Sequence, residues 1–193
     1  MIPSWNDEGL IPPIRPGEPG HSMHRAPYRA PMLEVAQRFG SRPLRCAILS
    51  GLLDLRARLR AAGLDRGFQW LDGSLMERIE VIEGRPPKDV DVITFVHLGD
   101  EATQQRLAAG HPDLFAGDDL FERLRVDHYF FNLDLPLDQR SVKQVSYWYS
   151  MWSHRRDLRW KGFVQVDLAE DDGPARSLLD ALAAEAESPG VAP

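Results

Sequence analysis

Phe68-Gln69-Trp70-Leu71-Asp72-Gly73-Ser74, followed after a short interval by Lys88-Asp89-Val90-Asp91-Val92-Ile93, is the stretch whose reading decides the fold. Residues 68–71 are apolar and aromatic, the composition of a strand. They run into Gly73-Ser74, and residues 75–79 then predict the start of a helix. Residues 83–88, with Gly84, Pro86 and Pro87, read as a loop. Residues 90–97 are β-branched and apolar, a buried strand. Asp89 and Asp91 stand at i and i+2 at its head, so their side chains point to one face. Two carboxylates on one face repel unless a cation lies between them. Oxygen ligands that share a cation with substrate phosphates are what Mg²⁺ prefers. An isolated D-x-D is commonly just a pair of solvent-facing aspartates, and Gly-Ser is commonly a helix N-cap. Equally, glycine lets a ligand approach the backbone, a helix start offers N–H groups to phosphate, and Ser74 adds a hydroxyl. Strand, Gly-Ser, helix, loop and D-x-D strand in that order are less expected by chance than either pair alone.

Outward from this block, helices are predicted over 31–39, 43–62, 100–109, 118–124, 139–156 and 174–187, with strands over 126–133 and 162–168. In the second helix Leu44, Ile48, Leu52, Leu55 and Leu59 form an apolar stripe, with Arg56, Arg58 and Arg60 off it. Strands and helices alternating along one chain give α/β or α+β, with a small mixed sheet and helices packed against it. Residues 1–31 hold seven of the 15 prolines and read as an extended arm. Trp5, Leu10, Ile11, Ile14 and Tyr28 suit an arm lying on the domain surface or on a partner. The domain is expected over 32–187, with a frayed tail at 188–193.

The 193 residues are 43% hydrophobic and 27% charged, which suits a soluble globular protein. No apolar run approaches the roughly 20 residues of a membrane helix, so no membrane partner is expected. The first residues have neither the basic nor the apolar region of a signal peptide. The lone Cys46 fits a reducing, cytoplasmic setting. A net charge of -6 argues against a protein that coats nucleic acid. The six histidines and one cysteine show no zinc spacing, and there is no nucleophile elbow or P-loop.

The block 68–93 resembles the signature of the DNA polymerase beta-type nucleotidyltransferase superfamily. The chain as a whole resembles a family of uncharacterised bacterial proteins of this type. The shared features are the opening Ile2-Pro3-Ser4-Trp5 with Gly9-Leu10-Ile11-Pro12-Pro13 and the closing Lys161-Gly162-Phe163-Val164-Gln165-Val166-Asp167-Leu168. The resemblance implies an α+β nucleotidyltransferase fold in a minimal form. It implies Gly73 and Ser74 for the triphosphate, and Asp89 and Asp91 for two Mg²⁺ ions. A third carboxylate on a neighbouring strand is assigned to Asp127, with Asp167 as the alternative. The sequence departs from the smallest members by extra length around Glu80–Gly84, and by Lys88 where many carry serine.

The implied chemistry is in-line attack of a hydroxyl on the α-phosphate of a nucleoside triphosphate such as ATP, with pyrophosphate leaving. On the helix after the third carboxylate, Lys143 near the triphosphate and Tyr147 stacking on the base suit a nucleotide pocket. The following Arg155, Arg156, Arg159 and Lys161 suit an RNA acceptor or an acidic protein. The expectation is Mg²⁺-dependent transfer of an NMP group to a protein or tRNA acceptor, with a cognate protein partner in a toxin–antitoxin or phage-defence setting. One alternative is a catalytically inactive binding module, an antitoxin or scaffold. Another is an oligonucleotide second-messenger synthase, against which the lack of a large C-terminal helical domain counts.

Overall fold

The computed structural model describes residues 1–115 and 117–187, so the expected tail at 188–193 lies outside the described residues. One mixed sheet is built from β1 (Tyr28–Arg29), β2 (Gly67–Asp72), β3 (Val90–Val96), β4 (Val126–Asn132) and β5 (Val164–Asp167), in the order β1-β5-β2-β3-β4. β2 runs antiparallel to both β3 and β5, whereas β1 pairs parallel with β5 and β4 parallel with β3. The helices are α1 (Met32–Phe39), α2 (Pro43–Ala61), α3 (Ile79–Ile82), α4 (Glu101–Gly110), α5 (Gly117–Leu124), α6 (Gln139–Trp152) and α7 (Gly173–Glu187). The protein is thus α+β, with a small mixed sheet and helices against it.

Alternation along the strands separates two faces. Gln69, Leu71, Val92, Thr94 and Val126 face the side where α2 packs. There Arg56 of α2, placed off the apolar stripe by periodicity, is fully buried. It donates to Gln69 Oε1 (2.8 Å) and pairs with Asp172 (2.7 Å). A buried guanidinium is tolerated only when paired and hydrogen-bonded in this way. On the opposite face Trp70, Phe95 and Phe131 form an aromatic layer, and Tyr149 of α6 reaches Trp70 and Phe163.

Three expectations need correction. The helix predicted over 75–79 is a single 3-10 turn, Ser74–Met76, followed by extended backbone at Glu77 (φ -101°, ψ 158°) before α3 begins. Buried Arg45 enforces the break by donating to the carbonyls of Leu75 (2.7 Å) and Glu77 (2.6 Å). Second, α6 ends at Trp152 and not at 156, because the chain turns back through a bridge between His154 and Trp160. Third, the arm, expected to lie on the domain surface or on a partner, is partly built into the core of the domain itself. Ile2, Leu10, Ile11 and Tyr28 are buried in the core, and Tyr28–Arg29 is an edge strand that composition did not reveal. Trp5 Nε1–H donates to Met76 O (2.8 Å), and Gly162 N–H donates to Ile11 O (2.7 Å). No helix among the described residues is long and apolar enough to cross a membrane.

Candidate functional site

The strand registers bring three carboxylates into one row. Asp72 is the Cα partner of Asp91, and Asp91 is the Cα partner of Asp127, across β2, β3 and β4. Asp89, two residues before Asp91, projects to the same face. Behind the row stand Trp70, Ile93 and Tyr129, again in register. Asp127 was assigned on resemblance, and its place beside Asp91 follows from the parallel pairing of β3 and β4. The alternative, Asp167, pairs with Phe68 at the opposite end of β2 and is remote from the row. Asp72 has no site assignment from the sequence. Its signal was the antiparallel register, which cannot be counted until the loop between β2 and β3 is folded.

Gly73 adopts φ 85°, a conformation L side chains rarely take, and a Cβ there would lie 3.1 Å from the Asp91 carboxylate carbon. Glycine thus allows the turn to pass directly beside the row. Ser74 Oγ accepts from the Lys88 N–H (3.1 Å), tying the turn to the residue before Asp89. The residues of expected extra length, Glu80–Gly84, are not a loose loop. Glu80 lies in α3 and binds Arg45 (2.7 Å).

Burial, and then crowding, raises Asp72, Asp89 and Asp91. Burial first, then the neighbouring Asp72, Asp89 and Asp127 carboxylates, push Asp91 up to about 7. Burial also raises Asp89, against the pull of Lys88. Asp72, only 3% exposed, is raised to about 6 by burial, opposed by Lys161. Lys161 Nζ lies 2.8 Å from Asp72 Oδ1 and 3.0 Å from Glu77 Oε1. Glu77 in turn pairs with Arg155 at 3.0 Å. At the other end of the row the Tyr129 hydroxyl donates to Asp127 Oδ2 (3.1 Å), and burial with the Asp127 charge lifts the phenol to about 12.

The structure places the other sequence-assigned residues less uniformly. Tyr147 is exposed and packs on Trp148 (5.3 Å), which in turn touches Tyr129 (4.7 Å), so it joins an aromatic chain leading to Asp127. Lys143 instead lines a shallow depression with Asp138, Gln139 and Arg140, and none of the carboxylates of the row takes part in it. The basic cluster Arg155–Lys161 is largely neutralised within the protein. Lys161 is buried, Arg155 is bound to Glu77, Glu83 and Asp157, and Arg159 is bound to Asp157. Of that cluster only Arg156 is left exposed without an ion pair among the described residues.

The donor chemistry of Asp89, Asp91 and Asp127 fits a hard cation, since all are oxygen ligands and their mutual repulsion would be relieved by one. Among the described residues, however, no three His, Cys, Asp or Glu side chains already converge as a metal-holding group. The acids are aligned in register but not drawn together.

No curated protein and no solved structure matches the chain. One family model does, over residues 3–167, a span that includes the arm, the carboxylate row and Lys161. By this match the chain belongs to DUF6932, a family of unknown function.

Proposed function

We propose that the protein is a Mg²⁺-dependent nucleotidyltransferase that moves an NMP group from a nucleoside triphosphate to a hydroxyl of a protein or tRNA. The observation that carries this reading is the row itself. Asp91 and Asp127 are in register on adjacent parallel strands, Asp89 shares their face, and the Gly73 backbone lies against Asp91. Divalent ions bound there would supply charge neutralisation to the entering and leaving oxygens. The Gly73-Ser74 turn holds phosphate oxygens through its backbone and hydroxyl. It does so without the dipole of a long helix, because only one 3-10 turn follows it. In this reading Asp127 takes the proton of the acceptor hydroxyl. Tyr129, already bound to Asp127 Oδ2, fixes its orientation. The exposed Tyr147 offers a ring for the base. A toxin–antitoxin or phage-defence setting, with a cognate partner, belongs to the same proposal and rests on resemblance.

A second reading, a binding module that keeps the fold without catalysis, is favoured by one observation: the acids do not form a closed cluster among the described residues. One assay separates the two. The protein is incubated with each labelled NTP, Mg²⁺ and cell lysate, beside an Asp89→Ala/Asp91→Ala control. Label transfer by the wild type and none by the control is expected. Transfer that persists in the control would sink the site, and the absence of both transfer and calorimetric nucleotide binding would favour the binding module.

A further inference from the structure

The row of three carboxylates is not electrically uniform. Asp72 has a resident cation, Lys161, a residue only 5% exposed whose ammonium is 2.8 Å from Asp72 Oδ1. The contact is an ion pair between two buried side chains. The same ammonium donates to Glu77 Oε1 at 3.0 Å, and Arg155 closes the group from the other side of Glu77. Asp72 and Glu77 thus share one buried ammonium, and Arg155, which also binds Glu83 and Asp157, closes the group toward solvent. The root of Lys161 is equally fixed, because its N–H donates to Ser153 O (2.8 Å) and the next N–H donates to Ile11 O (2.7 Å). Among the described residues Asp89, Asp91 and Asp127 form no ion pair with a buried cation, and Lys161 acts on Asp91 only as the weakest of its influences, behind burial and the three neighbouring carboxylates. The cations near Asp89, namely Lys88, Arg85 and Arg156, are all exposed.

We infer that Lys161 is a positioning residue for the proposed site, a built-in cation that occupies the Asp72 end of the row and confines divalent-ion binding to Asp89, Asp91 and Asp127. This rests on the metal-dependent reading above. In this arrangement Asp72 is not a metal ligand, although it stands in register beside one. Its charge is spent on Lys161, and a second cation there would meet the ammonium at close range. The same contact ties the chain ahead of β5 to the end of β2, where the Gly73 turn begins. Lys161 thereby holds the turn in place as well as setting the charge of the row.

The test is a double-mutant cycle on the full chain, read by Mn²⁺ affinity and stoichiometry, with circular dichroism confirming the fold of each variant. Asp91→Asn should weaken Mn²⁺ binding by about tenfold or more, whereas Asp72→Asn, in which Glu77 still neutralises the ammonium, should weaken it by no more than about threefold. Lys161→Met frees Asp72 and should add an ion or tighten binding by about tenfold. The double variant Asp72→Asn/Lys161→Met removes both charges and should return to wild-type behaviour. It also keeps the test usable if Lys161→Met alone fails to fold, because no unpaired charge is left buried. Loss of Mn²⁺ in Asp72→Asn equal to that in Asp91→Asn would make Asp72 a ligand and overturn the inference. So would a folded Lys161→Met, or the double variant, with unaltered and altered binding respectively. A wild type that binds no Mn²⁺ overturns the metal-dependent reading instead. In that case new Mn²⁺ binding in Lys161→Met still supports the counter-cation role, and its absence removes that too.

Discussion

At the scale of single residues, Asp91 is where stability and the proposed chemistry oppose each other. Its carboxyl is raised from the ordinary range to about 7. A group raised on folding stabilises the native state while protonated, and that contribution is lost as pH rises from about 4 through about 7. Asp91→Asn should therefore raise the melting temperature by a few degrees at pH 8 in EDTA, with little change at pH 4, while abolishing transfer. An unchanged or lowered melting temperature at pH 8 would contradict the crowding described here. Gly73 makes the complementary case. Gly73→Ala places a Cβ against Asp91 at a φ of 85° and should cost about 1–3 kcal/mol in urea unfolding. Retention of wild-type stability would show that the turn has room to relax.

At the scale of elements, β4 presents different chemistry on its two faces. Asp127 faces the row, whereas the next residue, His128, meets Thr94 Oγ1 at 2.8 Å and is pushed down to about 3 by burial. Thr94 also accepts from Gln69, and Gln69 from Arg56, so neutral His128 ends a chain of donors that starts at α2. Stability from neutral His128 is complete above about pH 6.5 and declines as pH falls toward about 3. Unfolding by urea between pH 7 and pH 4 should show that decline, and His128→Gln should flatten it. An equal slope in the variant would assign the decline to other groups. The strands and long helices were legible because their apolar periodicity is dictated by core packing. The short elements were not. The break at Glu77 depends on Arg45, far away in sequence, and the edge strand Tyr28–Arg29 exists only because β5 is there to pair with it. In the same way Asp89 and Asp91 were visible as a local pattern. Asp72 and Lys161 become neighbours only through strand register, which no local pattern encodes.

At the scale of the molecule, the arm and the helices behind the sheet hold the site. Leu10 is completely buried, and Leu10→Ala should cost about 2–5 kcal/mol, measured by urea unfolding. A cost near zero would return the arm to a surface attachment. The pair Arg56–Asp172 joins α2 to the start of α7, and breaking one side of such a buried pair leaves an uncompensated charge. The strand order has a further consequence for how the chain acquires its shape during synthesis. β5, the last strand to be made, lies between β1 and β2, the first two. On the ribosome the early strands have no permanent neighbour on that side until about residue 168 has emerged. Until then Tyr28, Trp70 and Leu71 wait with their sheet edges open, a state in which unpaired strands readily join the wrong chain. Nascent chains stalled before residue 160 should thus be protease-sensitive around Tyr28, and chains stalled with residue 175 outside the exit tunnel should be protected there.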